Sequence, residues 1–441
     1  MRAVFAGVLL LSLAATFASA QPVPAQPSPS SLEPAADSAG ASGPTIAYTL
    51  PPDKLAKAKA LYDLGGYLRI IGPVWSFAVL LGILYFGATA RYRDWAERAT
   101  GKSFVQALIV VPLLLLTLDI PDWPLAAYRH SVGVEYGLVV QGWGSWFSDL
   151  LKGEMLVIVI GLFALWGMIG MIRRSPRRWW LYFWLVALPF FAFFAVIEPV
   201  VIDPMFNNFE PLDKNHPQLV NAIETVTHRG GLEIPRDRMF EMKASEKVTD
   251  LNAYVAGFGP SKRVVVWDTT IQKSTIPETL FVFGHEMGHY VLNHVLIGLG
   301  LSALGLLVGL YLTYRLSGWF LRRFGERWKI RGLGDWAALP MIFVIFSVLG
   351  FVATPIANTI SRQIEHNADI YGLEVTHGLN ANSQEVAAHA FQVLGELSLD
   401  YPYPSKLVVF WYYSHPSIPD RVRFAHEYDP WSKGESPRYV R

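Results

Sequence analysis

Six stretches of this chain are apolar for long enough to cross a bilayer, near residues 73–90, 104–120, 155–172, 179–197, 295–314 and 337–356. Tryptophans and tyrosines gather at their edges, among them Trp179, Trp180, Tyr182, Tyr311, Tyr314 and Trp336. Such amphipathic rings anchor at the headgroup level. A buried helix of a large soluble protein can mimic one such stretch; six together predict an α-helical multi-pass membrane protein. Basic residues set its direction. Arg91, Arg93, Arg98 and Lys102 follow the first stretch, and Arg173, Arg174, Arg177 and Arg178 follow the third. Arg315, Arg322, Arg323, Arg327, Lys329 and Arg331 follow the fifth. If all six stretches cross, these loops share one side, which the positive-inside rule makes cytoplasmic. The opposite side receives the 121–154 loop, the 203–294 segment and the C-terminal tail.

Between the fourth and fifth stretches the pattern turns soluble. Residues 238–244 read as a short strand. Residues 252–258 and 263–269 read as a hairpin about Gly259-Pro260, with Val264, Val265 and Val266 in the second arm. Helical spacing follows. Thr275 and Glu278 fit a capping box, Pro277 is tolerated in a first turn, and no proline interrupts 280–294. That helix carries His285-Glu286-Met287-Gly288-His289. Four residues advance a helix by about 400°, so both imidazoles emerge on one face and can hold one tetrahedral zinc. Glu286, turned about 100° from His285, can reach an attacking water as general base. Strands followed by such a helix have the layout of a zincin. An edge strand there can hold an extended peptide by backbone hydrogen bonds, and Asn252, Ala253 and Tyr254 open the candidate edge. The expected fold is therefore a multi-pass helical membrane protein with an inserted α+β zincin-type metalloprotease domain.

Two such histidines need a third ligand. His294 lies nine residues past His285, about half a turn round a continuous helix, and should point away. A metzincin would need Gly at 292 and His at 295, where this chain has Leu292 and Val295. The better place is past the sixth stretch, in Ser361-Arg362-Gln363-Ile364-Glu365-His366-Asn367-Ala368-Asp369. Glu365 would complete a His, His, Glu set with one zinc position open. His366, about 100° away, is its rival. Asp369, one turn on, can accept a hydrogen bond from a ligand imidazole and fix its tautomer.

Composition narrows the rest. Hydrophobic residues make up 52% of the 441 and charged residues only 17%, and a net charge of +1 suggests no nucleic-acid partner. With no cysteine there is no disulfide, thiolate ligand or cysteine nucleophile. Arg2, the apolar run 4–17 and Ala18-Ser19-Ala20 fit a secretory signal over 1–20, or an uncleaved anchor helix. Residues 21–47 form a Pro/Ser/Ala-rich linker. The expected divisions are a four-span membrane domain over 48–202, a first protease part over 203–294, two spans over 295–360 and a second protease part over 361–441.

From about Tyr48 to Phe424 the chain resembles the integral-membrane zinc metalloproteases of the type I CAAX prenyl protease family. The resemblance rests on Tyr136-Gly137 with Asp149 and Lys152, Asp203-Pro204-Met205-Phe206-Asn207-Asn208-Phe209-Glu210-Pro211-Leu212, and Asn252-Ala253-Tyr254. It continues through the His285–His289 motif with Asn293-His294, Ser361-Arg362 with Glu365 and Asp369, and Ser414-His415-Pro416 with Arg421. It implies that His285, His289 and Glu365 bind one zinc ion, that Glu286 is the base and that Asp369 supports a ligand. It implies too that His415 and Arg421 lie near the site, where a charged donor could stabilise the oxyanion or steady a carboxylate. In such enzymes the helices enclose a large chamber closed at one end by the protease domain. The family's first membrane helix corresponds here at best to the N-terminal signal, which leaves six spans in a mature chain.

The expected activity is hydrolysis of peptide bonds in membrane-associated, possibly lipidated, proteins at a bacterial inner membrane, with the active site on the extracytoplasmic side. A heat-shock type of envelope quality-control protease is the second enzyme reading. Four spans before the zinc motif, and two between it and Glu365, count against it. A transporter or scaffold with structural zinc is the reading from another class. No fourth His or Asp stands at obvious spacing to close such a site.

Overall fold

The computed structural model describes residues 48–257 and 262–440. The N-terminal signal, the linker and the hairpin tip at Gly259-Pro260 lie outside the described residues. Among those described, six helical segments are long and apolar enough to cross a membrane: Pro52–Phe86, Ser103–Glu135, Trp143–Arg174, Trp179–Phe206, His294–Phe324 and Trp336–Thr376. All six overlap the expected stretches, five of them containing the whole stretch, and they run on past the apolar cores. The first also ends earlier than expected, at Gly87, whose φ of 63° turns the chain into a separate amphipathic helix, Ala88–Ala99.

The three basic loops meet at one end of the bundle. Arg93 pairs with Asp335 at 2.6 Å and donates to the Lys329 carbonyl at 2.9 Å. Arg331 reaches Glu97 at 2.8 Å, and Arg173 Nε donates to the Gly334 carbonyl at 2.8 Å. Under them lies an apolar core that includes Leu114, Ile169, Trp179, Trp336 and Ile342. Helix Leu339–Thr376 leaves this end and runs without a break for 38 residues. At 1.5 Å per residue that is about 57 Å, so Glu365 lies roughly 44 Å beyond Trp336, more than a bilayer's hydrocarbon thickness. The boundary drawn at 360/361 passes through the middle of this helix.

The soluble part holds a four-stranded sheet of order β1-β2-β4-β3, with β1 Phe209–Pro211, β2 Met239–Met242, β3 Ala253–Ala256 and β4 Arg263–Trp267. β3 and β4 pair antiparallel, as the hairpin reading expected, and β2 lies parallel to β4. The β1 strand was not expected. It is three residues long and ends in proline, too short for an alternating pattern to register. Val264 and Val266 bury one face of β4 with Ile223, Phe283 and Met287, and Val265 buries the other with Met242 and Ala244.

Candidate active site

Helix Ile276–Val291 begins as its sequence dictates. The Thr275 N–H donates to Glu278 Oε2 at 2.7 Å, Thr275 Oγ1 accepts from the Glu278 N–H, and Pro277 sits in the first turn. The helix then packs on the last turns of Leu339–Thr376 at a distance only glycine permits. A methyl group added at Gly372 would stand 3.0 Å from the His285 backbone nitrogen and 3.2 Å from its Cα; one at Gly284 would stand 2.8 Å from Val375 Cγ1. This close approach joins two sequence motifs 80 residues apart, because Glu365 and Asp369 project from the face that meets His285.

His285, His289 and Glu365 converge and are the one group of metal-ligating type among the described residues. The two Nε2 atoms are 3.2 Å apart, His285 Nε2 is 3.3 Å from Glu365 Oε2, and His289 Nε2 is 3.5 Å from Glu365 Oε1. Two neutral imidazoles and a carboxylate with ligand bonds of about 2.0–2.1 Å to one tetrahedral ion have donor separations of about 3.3 Å. The donor set therefore fits a divalent metal. Glu365 Oε2 adds to the fit, being buried without a well-directed hydrogen bond. His366, the sequence-level rival, turns away and packs its ring on Phe424 at 4.5 Å.

Around this triangle the remaining predicted side chains gather. Asp369 Oδ1 lies 2.8 Å from His285 Nδ1 and also accepts from Arg421 Nη2 at 2.6 Å, while Asp369 Oδ2 accepts from Arg421 Nε at 3.1 Å. Arg421 is buried, with its guanidinium 4.2 Å over the Phe391 ring. His415 Nε2 approaches Glu365 Oε2 at 3.3 Å, and its Nδ1 shares a hydrogen bond with Ser414 Oγ at 3.0 Å. Glu286 stands 4.0 Å from His285 Nε2, beside the triangle but outside it. Burial pushes the Glu286 carboxyl up to about 7, the Glu365 charge assisting and His285 opposing. Burial pulls the His289 imidazole down to about 3, in spite of Glu365. It pulls on His285 as well, but there Asp369 and Glu365 prevail and hold the ring up at about 10. Its neighbours are thus arranged around positive charge.

β3 is one of the two edge strands of the sheet, β1 being the other. The Asn252 N–H donates to Thr270 Oγ1 at 2.8 Å and its carbonyl accepts from the Trp267 N–H at 3.1 Å. Backbone polar groups of a strand alternate sides, so Tyr254 and Ala256 also face β4, and Ala253 and Val255 face the open edge. Of the three expected contacts, Asn252 has its backbone engaged within the sheet. Tyr254 donates its phenol to Asp203 at 2.7 Å, and Arg263 pairs with the same carboxylate at 2.9 Å. Ala253 turns its backbone polar groups away from β4, toward the sheet edge.

The structure corrects the expectation for His294. It does not join the ligand triangle, yet it does not point away: its Nδ1 lies 3.2 Å from Nδ1 of His289. The helix ends at Val291, Asn293 takes a left-handed conformation (φ 57°, ψ 28°), and a new helix starts at His294. Projection along a continuous helix fails at such a break. Asn followed by His at the end of an apolar helical run was the available signal, since Asn tolerates the left-handed region.

Residues 213–429 match Peptidase family M48, and residues 43–208 match the CAAX prenyl protease N-terminal family of five membrane helices. The uncharacterized metalloprotease YhfN of Bacillus subtilis is 35% identical over 378 residues, covering 86% of this chain and 87% of the relative. The chain belongs to the M48 membrane metalloproteases of the CAAX prenyl protease family. CAAX prenyl protease 1 of Saccharomyces cerevisiae is 28% identical over 343 residues, 73% of this chain and 72% of that one. The crystal structure of S. mikatae Ste24p shares the fold, with a TM-score of 0.71 at 20% identity over 96% of each chain. As an M48 membrane metalloprotease the chain is a metalloendopeptidase, a multi-pass membrane protein acting on peptides, and the family implies a metal. Neither the heat-shock-type reading nor the transporter reading is favoured by these matches.

Proposed function

We propose that this M48 metalloprotease is a zinc enzyme that cleaves membrane-associated proteins, lipidated ones included, on the extracytoplasmic face of a bacterial inner membrane. One observation carries the proposal: the triangle of His285 Nε2, His289 Nε2 and Glu365 with edges of 3.2–3.5 Å. Two imidazoles and one carboxylate are the ligand type of catalytic zinc, which keeps one position open. Bound there, zinc supplies the Lewis acidity that activates water and polarises a peptide carbonyl.

The side chains do the rest. Glu286, beside the triangle and raised to about 7, takes the proton of the attacking water and later delivers it to the leaving nitrogen. His285, His289 and Glu365 fix the reacting centre, and Asp369 with Arg421 holds the His285 ring. His415, close to Glu365, donates to the oxygen that gains charge as the carbonyl carbon becomes tetrahedral. The open edge of β3, through Ala253, aligns the substrate as an added strand.

Direction rests on charge. The three basic loops join at the end of the bundle remote from Glu365, and the positive-inside rule then turns the site outward. The relatives named CAAX prenyl proteases support lipidated substrates. The orientation supports envelope membrane proteins, since a prenylated cytosolic protein would not meet an outward site.

The test is comparative proteomics of membranes carrying either the wild-type protein or Glu286→Gln, with zinc measured in both. Zinc is expected to stay, peptidase activity to vanish, and uncut substrates to accumulate only with the variant, their cut sites outside the cytoplasm. Continued cleavage by Glu286→Gln would remove that residue from the base role, and cytoplasmic cut sites would reverse the orientation.

A further inference from the structure

Each ligand imidazole has a second ring nitrogen, and the two are met differently. His285 turns its Nδ1 to the Asp369 carboxylate at 2.8 Å. Among the described residues no carboxylate pairs with His289 Nδ1, which faces Nδ1 of His294 at 3.2 Å, with the rings tilted at 69° and their centroids 5.1 Å apart. His294 is buried, and Asn293, one of three non-glycine residues with positive φ among those described, sets its place. Had the helix continued through residue 294, the ring would project about half a turn away.

We propose that His294 is a positioning residue for the metal site, accepting the Nδ1–H of His289 and so fixing the tautomer that leaves the His289 Nε2 lone pair for the metal. The proposal rests on the zinc reading above. The direction of the bond follows from proton accounting. A neutral imidazole that ligates through Nε2 carries its proton on Nδ1, so His289 must be the donor. His294 must then present a bare Nδ1 and carry its own proton on Nε2. The opposite arrangement, with His294 donating, would place a proton on His289 Nε2 and block coordination. The site thus pairs an imidazole backed by a carboxylate with an imidazole backed by a neutral ring. A hydrogen bond of this kind fixes ring orientation, and its loss typically costs 10–100-fold in metal affinity.

Zinc affinity of the detergent-purified full chain, by competition with a chromophoric chelator, tests this without relying on turnover. His294→Leu, which removes the acceptor, is expected to bind zinc about 10–100-fold more weakly. His294→Asn, whose side-chain oxygen can stand near the Nδ1 position, is expected to hold zinc within about threefold of wild type. Leucine binding as tightly as wild type, or asparagine falling as far as leucine, would overturn the assignment. A second readout needs no variant. Nitrogen NMR of the zinc-loaded wild type should show His289 protonated on Nδ1 and His294 on Nε2, whereas a proton on His294 Nδ1 would also overturn it. If the wild type itself holds no zinc, the reading of the site fails; if it does and only the variants disagree, the role of His294 alone fails.

Discussion

Two buried arginine–aspartate pairs stand near the two ends of one helix, Arg93 with Asp335 and Arg421 with Asp369, each at 2.6 Å. At the basic-loop end the pair closes on backbone. Asp335 also accepts from the N–H groups of Arg331 and Ala337, capping the start of the Trp336 segment, and Arg93 also donates to the Lys329 carbonyl and pairs with Asp94 at 2.8 Å. Every group there serves the fold. At the site end, Asp369 keeps one oxygen at 2.8 Å from Nδ1 of His285. Its charge is passed to a ring that faces the metal position. The same kind of ion pair is a joint in one place and, on the proposed function, a support of the metal site in the other, and the third neighbour makes the difference.

Substituting the two aspartates separates these roles most strongly. Asp369→Ala is expected to weaken zinc binding about 10–100-fold, and peptidase activity with it. Asp335→Ala leaves buried Arg93 with only the half-exposed Asp94 carboxylate at 2.8 Å and should cost about 1–3 kcal/mol of stability, while the folded fraction keeps wild-type zinc affinity. Chelator competition and thermal melting measure both; equal loss of zinc in the two variants would erase the contrast. Glycines at the two ends sharpen it. Gly372→Ala forces a methyl group against the backbone of His285 and should lower turnover by roughly 100-fold through misplacement of the ligands. A methyl at Gly334 would stand 2.9 Å from Arg173 Cγ, so Gly334→Ala should cost about 1–3 kcal/mol of stability by overpacking and leave turnover of the folded fraction intact. The smallest effect belongs to Arg331, whose pairs with Glu97 and Asp94 are exposed. Arg331→Gln should cost about 0–1 kcal/mol, less at high salt, with hydrolysis unchanged.

Hydropathy located all six spans, because lipid demands an uninterrupted apolar stretch, but it read only their lipid-facing middles. The polar continuation of Leu339–Thr376, which carries Glu365 and Asp369, has no hydropathy signal of its own. The capping box at Thr275 and the β3–β4 pairing were legible for local reasons, since both use side chains within a few residues of one another. His294 was misread at one left-handed residue, Asn293, because a change in a single backbone dihedral redirects everything after it.

By itself the sequence determined what neighbours along the chain can decide: the spans, the strands of the hairpin, and a helix with two imidazoles and a carboxylate at working spacing. It left Glu365 and His366 as rivals, 100° apart on their helix, and gave His415 no standing without a family resemblance. The choice between them came from packing. Gly284 and Gly372 let two helices approach until Glu365 faced the imidazoles and His366 faced Phe424. Contacts between segments 80 or more residues apart depend on the shapes of both surfaces, and no local pattern records those.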